Sequence, residues 1–324
     1  LSPPFSQGSF NVTDWSAIRE SYLGHKSAKA LLPNVRLPVL PKAVTDFCQK
    51  SDNPDCDLRE LGRIIESDSG LTCELLRFVN GAANGLRQRA TTGHQAVMAL
   101  GVRRTKIHLV TVATQNAMPV RQLKLLNLAT FWNTNLERAI FARRVARLMR
   151  VDEELTFAAA LLQDFLLPVL TNELYSKYLE FVKRQEQGDC SLRHFEQQVF
   201  GWDHAEAGAR VMFDWGFPDE LICCVLFHHH GLSILTNSTL SRTSAAAVAI
   251  GGLIPDFLKQ VPDGLTQLVK LSEIWRIFNV YDIANQMHDE FKAQAHEAAN
   301  FIPFKDRCQK FRAALAKAAA SGER

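Results

Sequence analysis

The sequence has few of the features that announce a function. No stretch approaches the roughly 18 uninterrupted apolar residues of a membrane-crossing helix. The nearest, Ser244 to Ile254, is short, rich in small residues and contains Gly251-Gly252. The opening Leu1-Ser2-Pro3-Pro4 lacks the basic start and apolar run of a secretory signal, so a cytoplasmic location is expected and no membrane partner. No C-x-x-C spacing occurs among the seven cysteines, Cys48, Cys56, Cys73, Cys190, Cys223, Cys224 and Cys308. They are odd in number and sit mostly in apolar helical patterns, which predicts reduced core thiols. Seventeen glycines and twelve prolines are too few for a fibrous or low-complexity chain. No internal repeat occurs, and the alternating pattern of a half-buried strand is almost absent.

What remains is ordinary globular material: 324 residues, 47% apolar and 22% charged, with a net charge of +3 and a mean hydropathy of -0.09. A single core stops growing near about 250–300 residues, so this length implies one large domain with an attachment or two domains sharing an interface. Apolar spacing is helical nearly everywhere, and the expected fold is all-α. Asp57 with Glu60 opens a helix carrying Leu58, Leu61, Ile64 and Ile65 on one face. A second runs from Asp68 to Asn80-Gly81, and a third follows Thr91-Thr92-Gly93 and closes at Gly101. Longer patterns cover Ala129 to Arg150, Glu153 to Leu170, Leu192 to Trp215 and Pro218 to His229, with a polar loop at residues 185–189. The second of these is apolar on nearly every side except Gln163-Asp164, which places it centrally. Residues 231–243 read as irregular. The organisation expected is an extension over 1–30, a main domain over 31–232 and a helical region over 233–324 packed on it.

Charge is segregated along the chain. Residues 101–150 hold ten Lys or Arg against the single acid Glu137, whereas 151–230 hold fourteen acids and five Lys or Arg. At about 100° per residue, Arg143, Arg144, Arg147 and Arg150 share one side of their helix. That row is either a solvated face or a contact for an acidic protein or small anion. Nucleic acid is disfavoured, because no interleaved aromatics or known module accompany the arginines.

Three polar groups interrupt apolar helices: Gln163-Asp164, Asp203-His204 and His228-His229-His230. An unpaired buried carboxylate is costly, so Asp164 needs a cation or several donors beside it. Histidines and carboxylates brought together from separate helices could hold a divalent ion that activates water against a phosphate ester. Each group also has a structural role to play: Asp164 as an acceptor for a neighbouring helix, Asp203 as an N-cap with Glu206 in the capping-box position, and the histidines at a helix C-terminus.

From about Leu31 to His230 the chain resembles the HDOD domain, the signalling relative of HD-type metal phosphohydrolases. The resemblance rests on an ordered set of pieces: Leu37-Pro38-Val39-Leu40-Pro41, Asp57-Leu58 through Ile64, Asp68 to Leu76, Asn80, Asn84-Gly85-Leu86, Ala96 to Gly101, Phe131-Trp132, Leu161 to Asp164, Gly201 to Gly208, Trp215-Gly216-Phe217-Pro218 and His228-His229. It implies an N-terminal helical subdomain and an HD-like helical subdomain, with a regulatory or protein-interaction role in bacterial signal transduction. Catalytic relatives bind metal through a His on the helix that here begins Phe131-Trp132, through a His-Asp pair, and through later acids or histidines. Here Gln163 stands in the His-Asp pair and Thr134 where the first imidazole would be. With two imidazoles missing, the metal site is expected to be degenerate, because a glutamine carbonyl is a poor transition-metal ligand. The Gly-Tyr-Pro signature of cyclic-dinucleotide phosphodiesterases is absent after the paired histidines, where His230-Gly231-Leu232 follows.

These readings converge on a non-enzymatic cytoplasmic signalling module that binds a protein partner, with no metal and no cofactor. A remnant pocket is expected around Thr134, Gln163, Asp164, Asp203, His204, His228 and His229, and the partner or anion contact on Arg143, Arg144, Arg147 and Arg150. The alternatives are a weak metal-dependent phosphohydrolase of a nucleotide or other phosphate ester, using Asp164, Asp203, His204, His228 and His229, and a sensor that binds a nucleotide without cleaving it.

Overall fold

The computed structural model describes residues 13–24, 27–81, 84–86, 88–118, 123–186 and 191–321. Leu1 to Pro4, Cys190 and residues 187–189 of the expected polar loop lie outside them. Among the described residues the fold is all-helical, without a strand. After α1 (Trp15–Leu23) and α2 (Ala28–Leu31), which pack on helices later in the chain, the N-terminal layer contains α3 (Lys42–Ser51), α4 (Leu58–Glu66), α5 (Ser69–Val79), α6 (Gly93–Leu100) and α7 (Val102–Ala117). Its starts follow the sequence: Asp57, Asp68 and Thr92 each cap a helix by accepting a backbone N–H, from Arg59, Leu71 and Gln95. Helices α4 and α6 cross with almost no space between them. A Cβ on Gly62 would lie 2.6 Å from the His94 backbone, so only glycine permits the crossing.

The second layer contains α8 (Leu128–Met149), α9 (Glu153–Leu162), α10 (Leu167–Glu173), α11 (Tyr175–Glu186), α12 (Leu192–Phe200), α13 (His204–Asp214) and α14 (Asp219–Leu226). Two expected helices are each broken in two, at the polar interruptions. Residues 163–166 form turns between α9 and α10, and Gly201 in a left-handed conformation (φ 77°) ends α12 before Asp203 caps α13. Pro218 is the N-cap of α14 rather than its first helical residue. The irregular stretch expected from 231 begins instead with a 3-10 helix over His228–Thr236, bent at Gly231. The apolar run Glu153–Glu173 has the length and hydropathy of a membrane span but is buried in the protein core.

The remaining helices are α15 (Ser244–Gly251), α16 (Gly264–Ile274), α17 (Val280–Gln286), α18 (His288–Gln294) and α19 (Phe304–Ser321). Helix α15 is buried along its whole length and packs on α8, α9, α14 and the 3-10 helix. Its small side chains set the distance to α8: a Cβ on Gly251 would meet Ala142 Cβ at 2.9 Å and the Arg138 carbonyl at 3.1 Å. Helix α19 is tied to α8 by the Phe304 N–H, which donates to Glu137 at 2.5 Å, and by the Arg307–Glu137 ion pair.

The charge segregation of the sequence becomes interleaved in space. Arg103 pairs with Asp152 at 2.6 Å and Glu220 at 3.0 Å, Arg104 with Glu154, and Arg147 with Glu153 at 2.7 Å. Arg143 and Arg144 both reach Glu290 on α18, and Arg144 also donates to the Gln286 carbonyl. Three of the four arginines expected to form a contact row therefore hold the chain together, and Arg150 is an exposed left-handed C-cap of α8. Six described cysteines are free thiols. Cys48, Cys223, Cys224 and Cys308 are buried as expected, Cys56 is half-buried, and Cys73 is exposed on α5, a departure from the core placement.

Candidate functional site

The site is built around one carboxylate. Asp164 sits in the turn after α9, 2% exposed, and its two oxygens face different neighbours. Oδ2 accepts from the Arg138 guanidinium of α8 at 2.5 Å and from Gln260 Nε2 at 3.0 Å. Oδ1 lies 3.3 Å from His204 Nε2 and 3.2 Å from His228 Nε2. Burial raises the Asp164 pKa, but Arg138 and the two imidazoles outweigh it and hold the carboxyl well below the usual range.

Arg138 is almost fully buried and its contacts fix it rigidly. Nε and one terminal nitrogen donate to the Ile254 carbonyl at 3.2 and 3.0 Å, and Asp256 stands 3.8 Å away. Gln260 closes this side by donating Nε2 to both Asp164 and Asp256. Neither Arg138, Asp256 nor Gln260 was identified from the sequence. For Arg138 a signal existed: it shares a helix face with Thr134, Phe141 and Val145, so it is an arginine on an apolar stripe. Asp256 and Gln260 lie in a loop after α15, where spacing carries no such information.

On the other side three imidazoles converge. The carboxylate of Glu196 accepts from His204 Nδ1 at 2.6 Å, and its other oxygen accepts from the Tyr178 hydroxyl at 2.7 Å. His228 Nδ1 donates to the Val225 carbonyl at 2.6 Å. With both Nδ1 atoms committed, the Nε2 atoms of His204 and His228 point toward Asp164, and His229 Nε2 lies 2.8 Å from His204 Nε2. Burial opposes charge on His204, but Glu196 and Asp164 raise its pKa well above the ordinary value. His229 is pushed the other way, by burial and by the neighbouring His228 and His204.

The catalytic relatives implied by the sequence resemblance bind metal, and the two sides of Asp164 answer differently. The ring nitrogens of His204, His228 and His229 lie within 4.8 Å of one another. With Asp164 Oδ1 they form a nitrogen-rich set that fits one divalent transition ion. On the Oδ2 side Arg138 already fills the position between Asp164 and Asp256, and a second ion does not fit there. The positions of Thr134 and Gln163, where imidazoles were expected to be missing, are distinct from this cluster of three histidines.

The other expected residues have structural positions. Asp203, 4% exposed, caps α13 by accepting the Glu206 N–H at 2.9 Å and pairs with Arg193 at 3.0 Å. Burial raises its pKa, but His204 and the cap hold it below the usual range. The Thr134 hydroxyl donates to the Thr130 carbonyl at 3.0 Å. Gln163 is buried at the end of α9 and its amide makes no hydrogen bond within the protein. Neither Thr134 nor Gln163 contributes to the imidazole cluster.

Comparison with known proteins places this architecture. A Treponema pallidum (strain Nichols) protein of uncharacterised role is 24% identical over 197 residues, which is 60% of this chain and 38% of that protein's length. Among solved structures, a Shewanella amazonensis SB2B protein provisionally designated a phosphohydrolase aligns over 89% of this chain and 95% of its own, with a TM-score of 0.55 and 20% identity. An HDOD domain protein of unknown function from Geobacter sulfurreducens aligns over 91% and 95%, with a TM-score of 0.52 and 16% identity. These structural likenesses establish the fold. The sequence profile of the HDOD domain matches residues 37–231, which is more than half of the chain and spans Arg138, Asp164, Glu196 and all three clustered histidines, and on that match the chain belongs to the HDOD family.

Proposed function

We propose that this chain is a non-catalytic cytoplasmic regulatory module of bacterial type that acts by binding a signalling protein. The observation that carries this reading is Arg138. Its guanidinium supplies, as a permanent covalently attached cation, the charge that balances Asp164, with Asp256 alongside. A guanidinium cannot be deprotonated under physiological conditions, binds no water as a ligand and cannot lower a water pKa as a metal does. The same contact that neutralises Asp164 thus fills its Oδ2 side, half of the place where a hydrolytic centre would be assembled. Of the arginine row on α8, Arg143, Arg144 and Arg147 pair within the chain, so a partner there would compete with Glu290 and Glu153 and meet Arg150 directly.

A weak phosphohydrolase is the second reading, favoured by the clustering of His204, His228 and His229, the first two beside Asp164 Oδ1. An ion held there would supply Lewis-acid chemistry toward a phosphate oxygen. In the protein itself His204 is held by Glu196, and Asp164 is already engaged by Arg138 and Gln260. One experiment separates the two readings: a panel of phosphate esters incubated with untagged protein and added Mn²⁺ or Fe²⁺. No turnover above buffer is expected. Turnover that disappears in His228→Ala overturns the non-catalytic proposal.

A further inference from the structure

Beside Arg138, on the face of Asp164 away from the imidazoles, the protein encloses a cavity of about 450 Å³ between the first half of α8 and the loop over 256–260. It lies within the usual ligand range of about 300–1,000 Å³. Its walls are mainly apolar, including Leu126, Phe131, Leu167 and Leu258, with Phe257 at the mouth and 62% exposed. Two amides lining it are unusual. Asn135 is 1% exposed, and neither its oxygen nor its nitrogen has a hydrogen-bond partner. Asn133, two residues earlier on the same helix, by contrast uses both atoms on the backbone of His296. Gln260 is 3% exposed and directs its nitrogen to Asp164 and Asp256, leaving Oε1 without a partner.

Buried polar atoms are nearly always satisfied, and leaving one unsatisfied is destabilising. Three such atoms in one cavity mark a place shaped for something else to complete. Asn135 offers one donor and one acceptor side by side, which matches a planar edge carrying an adjacent acceptor and donor. Gln260 Oε1 asks for a further donor. The apolar walls suit the flat faces of a ring. Charge then narrows the class: Arg138 is already neutralised by Asp164, Asp256 adds a negative charge, and no other Lys or Arg lines the cavity among the described residues. A polyphosphate is excluded by this balance, whereas an uncharged ring is not.

We infer that the cavity between α8 and the 256–260 loop binds an uncharged nucleobase or nucleoside through Asn135 and Gln260. The pairing edge of the base meets the Asn135 amide, a base or ribose donor meets Gln260 Oε1, and Phe257 covers the entrance. This goes beyond the regulatory reading and does not depend on it: a protein that turned over phosphate esters could still bind the nucleoside, and a silent one could still fail to.

The test is calorimetric titration of the full chain with adenosine, guanosine, cytidine and uridine, and with the four 5′-triphosphates. At least one nucleoside should bind saturably below millimolar concentration, with its triphosphate at least tenfold weaker. Asn135→Leu should weaken that nucleoside at least tenfold while leaving the helical circular dichroism unchanged. Phe257→Ser, at an exposed position that cannot disturb the core, should weaken it severalfold. The inference is overturned if no nucleoside binds at millimolar concentration, if affinity is unchanged in both variants, or if the triphosphate binds as tightly as the nucleoside.

Discussion

The two oxygens of Asp164 look out on regions of opposite design. Oδ2 meets a fixed positive charge, Arg138, locked by the Ile254 carbonyl and backed by Gln260 and Asp256. Oδ1 meets two imidazoles, His204 and His228, oriented by Glu196 and the Val225 carbonyl, with His229 behind His204; these are groups that change protonation and accept metals. One side holds a permanent cation, and the other holds groups whose charge and ligands can exchange. The difference teaches that one carboxylate can be served by two kinds of partner at once. A buried carboxylate is so costly unpaired that it demands a cation, and an arginine from the adjacent helix provides it.

The strongest way to break the comparison is Arg138→Leu, which strands Asp164 with imidazoles and one amide. Breaking a buried ion pair from one side destabilises by about 3–5 kcal/mol. We expect a loss of that size by chemical denaturation. Asp164→Asn should be comparably harmful, because it strands the guanidinium. The double variant should lose clearly less than the sum, the signature of direct coupling. Additive losses would show that the pair does not act as a unit.

The position of Arg138 depends on α15, since Ile254 follows that helix and accepts two of its hydrogen bonds. Gly251→Val would place side-chain atoms against Ala142 and the Arg138 carbonyl, neither of which is a flexible tip. Overpacking of this kind costs about 3 kcal/mol at its upper end. The expected outcome is a loss of that order by urea denaturation, with Gly251→Ala milder. An unchanged midpoint in both would mean that α15 can shift freely and does not hold the site.

Much of the frame was legible in the sequence. The caps at Asp57, Asp68, Thr92 and Asp203 lie where local hydrogen bonding puts them, and the buried segment around Asp164 stands out by its apolar surroundings. What could not be read is which elements meet. Glu196 and Tyr178 reach His204 from α12 and α11, and Asp256 and Gln260 arrive from beyond α15. Apolar periodicity reports which face is buried but not its neighbour. The arginine row shows the same limit: its spacing on α8 was right, but the acids that neutralise it come from α9 and α18.

On the imidazole side the matching test is Glu196→Gln, which keeps size and the acceptor for Tyr178. It would place an amide N–H₂ against the His204 backbone N–H and Nδ1, which now lie 3.0 and 2.6 Å from one carboxylate oxygen. The imidazole can carry its proton on Nε2 and let Nδ1 accept from the amide, which leaves the backbone N–H as the one stranded donor, at a cost of about 2 kcal/mol. The loss should therefore be real but smaller than for Arg138→Leu. Equal or greater loss would reverse the ranking of the two sides.

The smallest effect sharpens the contrast between imidazoles with and without a carboxylate. His108 on α7 stacks on Phe78 at 4.0 Å between ring centres, and its Nε2 has no hydrogen-bond partner. Burial pushes its pKa down to about 4, opposite in direction to His204, which Glu196 and Asp164 raise. A histidine whose folded pKa lies below its unfolded value binds fewer protons in the native state. Its stabilising contribution is therefore complete above about pH 6.5 and is lost as the pH falls toward 4. His108→Phe keeps the stacking ring and removes the titration. The variant should match the parent protein near neutral pH and exceed its stability by about 1–2 kcal/mol near pH 4.5, allowing for partial exposure. Parallel acid limbs would show that the acid sensitivity arises at other groups, the imidazoles at Asp164 first among them.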